Sequence, residues 1–414
     1  MLKQTSDPPA SGSLPSTDRA PRLTAQILVV SAAALVVTGQ LYLALPLLSP
    51  IADSTGATVD QASWSVTAFG AAYALGFLAV GPLGPRVGYR RLIVGGVAAT
   101  ALFAWVTAFM PTVEAVIAAR ALQGCAAAAF APTAIAYLAH NIPPHRRPLA
   151  FTALTSSFLA AAVVAQVAAQ LITARWDWPA VFLASGAATA AVAVLARYLL
   201  VPDAPERAVS PGAAYRNLAA SVARPRLLPF YGIALTLLFG FVGLYAAIRL
   251  ADPLGVAADD GALLVLRASG LPAILLAPFV TPLLSRLSAL HRLAAGLTAA
   301  AALIAAAGLS VPLVGSVGLF ILLLAGYVLA TAVALPAAMQ ASQAAAGELS
   351  AAVGAMYGFW LYIGSSMAAP VVAAASGLGF AVLSALFAGA LLVGTALALL
   401  TAANQRRPPA AESR

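Results

Sequence analysis

The chain has 414 residues, of which 62% are hydrophobic and only 8% charged, and its mean hydropathy is +0.94. Soluble domains carry about a quarter charged residues, so this composition excludes a soluble protein and predicts an all-α polytopic membrane protein. The net charge of +9 is spread over short loops rather than gathered in a patch, which fits loops held on one side of a bilayer and excludes a nucleic-acid partner.

Residues 1–22 are rich in Ser, Pro and Asp and lack the apolar centre of a signal peptide. They read as a disordered cytoplasmic tail, as do residues 403–414. Between the tails, apolar runs of about 20 residues recur. They are Leu23–Pro50, Trp64–Leu83, Leu92–Met110, Val113–Ala139, Leu149–Ile172 and Pro179–Leu200, then Leu228–Leu250, Ala262–Leu284, Leu293–Val311, Ser316–Gln340, Ala351–Ala374 and Gly377–Ala402. Twelve spans in two pseudo-symmetric six-helix bundles are therefore expected, at 23–201 and 228–402, joined by a Pro-rich cytoplasmic linker at 202–227 with a short amphipathic helix in it. Placing the N-terminus inside puts most of the 22 Lys and Arg residues on the cytoplasmic side. Both termini then lie in the cytoplasm of a bacterial inner-membrane protein. The single cysteine, Cys125, permits no internal disulfide and reads as a packing residue.

One loop organises the chain: Gly81-Pro82-Leu83-Gly84-Pro85-Arg86-Val87-Gly88-Tyr89-Arg90-Arg91. It is short, basic and glycine-rich, and it turns two apolar runs into a hairpin. Pro82, Leu83 and Arg86 recur as Pro282, Leu283 and Arg286, and Arg91 is echoed by Arg292. This repetition suggests an internal duplication. A second feature is Arg120-Ala121-Leu122-Gln123-Gly124-Cys125-Ala126 in the fourth span. An arginine within a span is costly and usually faces a partner or a watery cavity. Arg120 and Gln123 are three apart and share a helix face. Backbone carbonyls holding Arg120 for structure, or snorkelling to the interface, stay open as alternatives.

With these two motifs and the six-plus-six layout, the chain resembles a major facilitator superfamily transporter, most closely the twelve-helix drug:proton antiporter branch. The loop is similar to the family pattern G-x-L-a-D-R-x-G-R-R/K at Gly81, Leu83, Arg86, Gly88, Arg90 and Arg91. The resemblance implies a latch that holds the two halves together in the outward-facing state. Pro85 stands where the family carries Asp. Glu348, just before the eleventh span, is expected to pair with Arg86 or Arg90 and supply the missing acid. The helix-four motif is similar to R-x-x-Q-G-x-G, with Ala126 in place of the last glycine. The resemblance implies a substrate or proton-coupling role for Arg120 and Gln123, and a packing role for Gly124. Arg175-Trp176-Asp177-Trp178 is weakly similar to a family outer-loop sequence, and its tryptophans are expected at the outer interface. The helix-five glycine and proline signature of the antiporters is absent from Ser156 to Leu171.

No acid falls mid-span, so proton coupling would run through a peripheral carboxylate, with Glu114 the best placed. Polar and aromatic residues deep in spans are candidates for lining a cavity: Gln40, Tyr73, Gln166, Gln170, Arg267, Tyr357, Trp360 and Tyr362. Of these, Gln40, Arg267, Tyr357 and Trp360 join Arg120, Gln123 and Glu114 as the expected substrate or coupling set. Tyr357 and Trp360 share a face that can stack on an aromatic ligand. Few acids and several arginines suit neutral, amphipathic or anionic solutes. The expected function is export of a small organic or drug-like solute by alternating access, with protons as a coupling partner. Uptake or exchange of a metabolite without protons is the alternative, and a membrane scaffold or receptor is the alternative from another class. An enzyme is not expected: no metal cluster, nucleophile–base set or cofactor-binding motif appears, and a monomer in the lipid bilayer is the expected state.

Overall fold

The computed structural model describes residues 16–80, 83–202, 210–255, 266, 268–284 and 286–406. Among them every regular element is helical. Helix is the conformation that satisfies backbone polar groups internally where no water is available. Ten helical stretches are long and apolar enough to cross a membrane, one of them a 56-residue run over Val317–Val372, and Leu271–Leu283 is a shorter apolar helix. This is a multi-pass membrane protein.

The first span is interrupted. Helix α1 (Ser16–Tyr42) begins ahead of the Leu23 boundary and ends in a turn at Leu43–Ala44, followed by a 3-10 turn and α2 (Leu48–Thr55). Pro46 in that 3-10 turn has no N–H to continue the ladder. Next come α3 (Val59–Val80), one helical turn at Gly84–Val87, and α4 (Tyr89–Ala108). The fourth span is interrupted as well. Helix α5 (Val113–Ala127) gives way to turns at Ala128–Phe130 before α6 (Ala131–Asn141). Ala129 and Phe130 there bond three residues back, to Ala126 and Ala127. Pro132 opens α6, where its missing N–H costs nothing. Helices α7 (Arg147–Thr173) and α8 (Trp178–Leu199) complete this half.

The linker holds α9 (Pro211–Ala223), capped by Ser210 accepting from the Ala213 N–H at 3.1 Å. Helices α10 (Leu228–Ala251), α11 (Leu271–Leu283), α12 (Ala289–Leu313), α13 (Val317–Ala346), α14 (Ser350–Ala374) and α15 (Gly379–Arg406) follow. The starts of α12, α13, α14 and α15 fall about 200 residues after those of α4, α5, α7 and α8. The element order thus repeats with the offset seen in Pro82/Pro282 and Arg86/Arg286.

The basic loops gather at one end of the bundle. Tyr137, near the end of α6, donates to Gln26 Oε1 in α1 at 2.9 Å and accepts from the Val201 N–H at 3.0 Å. Arg90 donates to the carbonyl of Arg197 at the end of α8. The Tyr89 ring lies 5.2 Å from that of His140. The linker helix belongs to this end too. Tyr215 Oη donates to the Ala79 carbonyl in the last turn of α3 at 2.6 Å, while α9 packs on α14. The opposite end is tied differently: Trp178, buried, donates to Ser54 Oγ at 2.8 Å. Trp178 is thus a core residue, and Trp176 alone of the pair is exposed.

Gly88, between the single turn and α4, has φ 93° and ψ 129°. A side chain there is strained by about 1–3 kcal/mol. Gly88→Ala is expected to lower the melting temperature of the purified protein. An unchanged melting temperature would show that the loop is not held at this backbone angle.

Candidate functional site

Two separate features lie inside the helices: a cavity at the seam between the repeated halves and a buried polar cluster within the first half. The cavity is small in this conformation, about 40 Å³, well below the range of small-molecule sites, so a solute would enter only after the helices part. Residues of α1, α3, α6 and α7 line one side, and residues of α10, α13 and α14 the other. Its wall is apolar and aromatic, with Phe77, Phe158 and Phe241 prominent. Its polar groups are hydroxyls, those of Thr38, Tyr42, Tyr357 and Tyr362. No Asp, Glu, His, Lys or Arg is among the described lining residues. The hydroxyl of Tyr357 is buried and has no hydrogen-bond partner among the described residues. A buried hydroxyl left in that state costs free energy unless a ligand supplies the bond.

The helix-four interruption serves this cavity. Ala131, Pro132 and Ile135 of α6 form part of its wall. Broken helices at ligand sites expose backbone polar groups where a packed helix would hide them. Across the seam, Tyr73 and Tyr362 meet edge to face at 4.9 Å, and Phe77 packs on Tyr362 at 5.5 Å. Gly358 lets α14 approach so closely that an added Cβ would lie 3.1 Å from the Phe77 ring. Closer to the basic end, Thr152 Oγ1 of α7 donates to Thr281 Oγ1 of α11 at 3.3 Å. The halves are therefore in contact at that end.

The polar cluster is centred on Arg120, which is fully buried. Its Nη1 donates to Gln123 Oε1 at 2.6 Å and its Nη2 to the Gln40 backbone carbonyl at 2.7 Å. Gln40 lies in the last turn of α1, where carbonyls have no following helical N–H to accept from. Arg120 thus caps the C-terminus of the broken first helix, the end that favours a cation. Gln123 Nε2 donates to Gln40 Oε1 at 3.0 Å and to the Thr100 carbonyl at 3.4 Å. Gln40 Nε2 donates to Thr189 Oγ1 at 3.2 Å, and Ser185 Oγ reaches Gln40 Oε1 at 3.4 Å. The Arg120 guanidinium carbon sits 4.3 Å from the Phe69 ring centroid and 5.6 Å from that of Phe182, both within cation–π range. Its Nε is buried without a partner, and no carboxylate pairs with it among the described residues.

The residues singled out from sequence divide among these features. Gln40, Arg120 and Gln123 meet in the cluster, not in the cavity. Thr100, Ser185 and Thr189 complete the cluster, and spacing along one helix could not reveal them because they come from α4 and α8. Tyr357 and Tyr362 line the cavity, whereas Trp360 instead packs edge-on against Phe359 at 5.7 Å. Gln166 is buried with its amide on the Ala162 carbonyl. Glu114 is exposed in the first turn of α5, away from Arg120. Arg267 and Gly81 lie outside the described residues. Leu83 is half-buried, Arg86 and Arg91 are exposed, and Gly88 takes the positive φ noted above. Glu348 is exposed in the 3-10 turn before α14 and forms no ion pair with Arg86 or Arg90. The expected pairing is absent in this conformation, and Arg90 is directed instead to the end of α8. No group of three or more His, Cys, Asp or Glu residues is placed to hold a metal among the described residues.

A sequence profile described as Major Facilitator Superfamily matches residues 30–369. Fatty acid resistance protein FarB of Neisseria gonorrhoeae is 27% identical over 132 residues, 32% of this chain and 26% of FarB. Multidrug efflux pump LfrA of Mycolicibacterium smegmatis is 31% identical over 175 residues, 41% of this chain and 34% of LfrA. The matched stretch thus spans about a quarter to a third of these relatives. The crystal structure of the human organic anion transporter MFSD10 superposes with a TM-score of 0.71 at 17% identity, covering 91% of this chain and 99% of that one. This likeness is one of fold.

Gly124 is where α5 crosses α3: an added Cβ would lie 2.3 Å from the Phe69 backbone carbonyl oxygen. The obstruction is backbone, which cannot swing aside. Gly124→Ala is expected to destabilise the protein by about 1–3 kcal/mol and to loosen the Arg120–Phe69 contact. A melting temperature equal to that of the parent would contradict the close crossing.

Proposed function

Because the chain belongs to the Major Facilitator Superfamily, we propose that it is a bacterial inner-membrane transporter that exports a small organic solute by alternating access. The observation that carries this reading is the uncharged, aromatic cavity at the seam between the repeated halves. It suits a solute with an apolar or aromatic body and a group that bonds to the Tyr357 hydroxyl. The names of FarB and LfrA, a fatty acid resistance protein and an efflux pump, support export.

In this proposal twelve helices cross the membrane as two six-helix bundles, 23–201 and 228–402. The 56-residue run divides at Gly347, which has φ 57°. Leu271–Leu283 is the membrane part of the eighth span. The basic end is cytoplasmic, with both termini there. The halves meet at this end, which corresponds to an outward-facing or occluded state. The latch there does not use the acid that Pro85 displaces. Tyr215 of the linker helix holds the end of α3 instead, and Glu348, Arg86 and Arg91 are free to engage in another state. The protein works as a monomer.

Proton coupling through the cavity is disfavoured by its lining, which has no carboxylate or imidazole among the described residues. A second reading, facilitated exchange without protons, draws on that same feature.

Accumulation of a tracer panel in efflux-deficient bacteria, with and without an uncoupler, tests the direction and the coupling. Lower accumulation on expression is the expected result, and its reversal by the uncoupler would place the coupling proton on a group outside the cavity. Higher accumulation insensitive to it would replace export by facilitated uptake. Arg120→Ala is expected to abolish flux while the protein still reaches the membrane, and retained flux would favour a scaffold role for the cluster. Tyr357→Phe removes an unpartnered hydroxyl, so stability is expected to stay equal or rise by up to about 1 kcal/mol. Its flux of hydrogen-bonding solutes should fall. A loss of stability would place a hidden partner on that hydroxyl.

A further inference from the structure

A second hollow opens on the outer flank of the first half. Residues of α7 and α8 form its walls and one face of α1 its floor, with a volume of about 270 Å³. Its walls are apolar and narrow. Ala168, Ala184 and Ala188 are exposed on its rim, and Leu35, Val164 and Ile172 extend it. From Leu35 to Leu43 the floor runs roughly 12 Å at the helical rise. Two polar side chains interrupt this surface, Gln40 and Ser185. They begin the chain of contacts that leads inward: Ser185 to Gln40, Gln40 to Gln123, Gln123 to Arg120.

That chain ends on a cation with no carboxylate partner among the described residues. A buried cation in a membrane helix is expensive unless an anion compensates it. The central cavity supplies none and is not lined by Arg120. Phe69 and Phe182 cover its guanidinium, while Gln40 stands between it and the flank hollow.

We propose that this hollow is a binding site for a membrane-dissolved, single-chain amphipathic carboxylate, separate from the central cavity. The aliphatic chain lies against the alanine walls. The carboxylate accepts from Ser185 Oγ, whose proton turns away from Gln40 Oε1 and the Phe182 carbonyl, and from the second N–H of the Gln40 amide, the first being held by Thr189. The charge of Arg120 behind them compensates it. The hollow faces the bilayer, so the ligand arrives sideways from the lipid rather than from water.

The test uses the full chain in phosphatidylcholine nanodiscs, titrated with decanoate, decanol or decyltrimethylammonium and read by melting temperature. Decanoate is expected to raise it saturably, whereas the alcohol and the cation do not. Ala184→Trp and Ala168→Trp, each at an exposed position, should weaken decanoate at least tenfold with the ligand-free melting temperature unchanged. Ser185→Ala should weaken it several-fold. Equal stabilisation by decanol removes the anion requirement and overturns the proposal. So does decanoate binding unaffected by both tryptophans, which assigns it to the central cavity. Loss of decanoate binding when phosphatidylglycerol enters the bilayer gives the hollow to a phospholipid and also overturns it. Binding is read without flux, so a protein that binds decanoate but transports nothing would refute the transporter reading and leave this site standing.

Discussion

A single buried arginine joins the end of the first helix to the fourth span. Arg120 is placed where the first helix stops, and its guanidinium satisfies a carbonyl that the break at Leu43–Ala44 would otherwise leave bare in the membrane. The same side chain orients Gln123, which in turn fixes the Gln40 amide against Thr189 and Ser185. Four helices are thereby joined through polar contacts in a region that is otherwise apolar and aromatic. In lipid, where apolar packing alone discriminates poorly between arrangements, such a network specifies which helices meet. A helix end and two aromatic faces offset part of the cost of burying the charge.

The two helix interruptions have different uses. In the first span, the break creates the carbonyl that Arg120 needs. In the fourth, the break at Ala128–Phe130 separates a segment that belongs to the cluster from one that belongs to the cavity. Helix α5 carries Arg120 and Gln123, and α6 carries Pro132 and Ile135. A shift in one is linked to the other through only three residues. A shorter path runs through α1, where Gln40 of the cluster stands two residues from Thr38 and two from Tyr42 of the cavity wall.

Much of this was legible from the chain. Composition gave the class, and the repeated Pro-Leu and arginine positions gave the offset that the helix starts follow. The i, i+3 spacing of Arg120 and Gln123 was enough to say that they act together. What they act on was hidden, because a backbone carbonyl leaves no trace in residue identity and Thr100, Ser185 and Thr189 look like ordinary polar residues on other helices. Helix periodicity placed Tyr357 and Trp360 on one face, yet only Tyr357 reaches the cavity, since the seam is narrower than a helix face. The break in the fourth span had a signal in Pro132, read through because alanine is so abundant around it. The tie from Tyr215 to Ala79 joins a linker to a helix 136 residues away, which no local pattern encodes.

The repeat is unequal in one respect. Arg120 is the eighth residue of α5, and the eighth residue of α13 is Leu324, which is buried, so the second half has an apolar side chain where the first has a charge. The membrane potential acts on charge, at about 2.3 kcal/mol per elementary charge moved through 100 mV. Any rocking that carries α5 along the bilayer normal moves Arg120 through part of that field, with no matching charge at the equivalent place in the other half to cancel it. Were the protein to change state by such rocking, the balance between its states would depend on the voltage across the membrane.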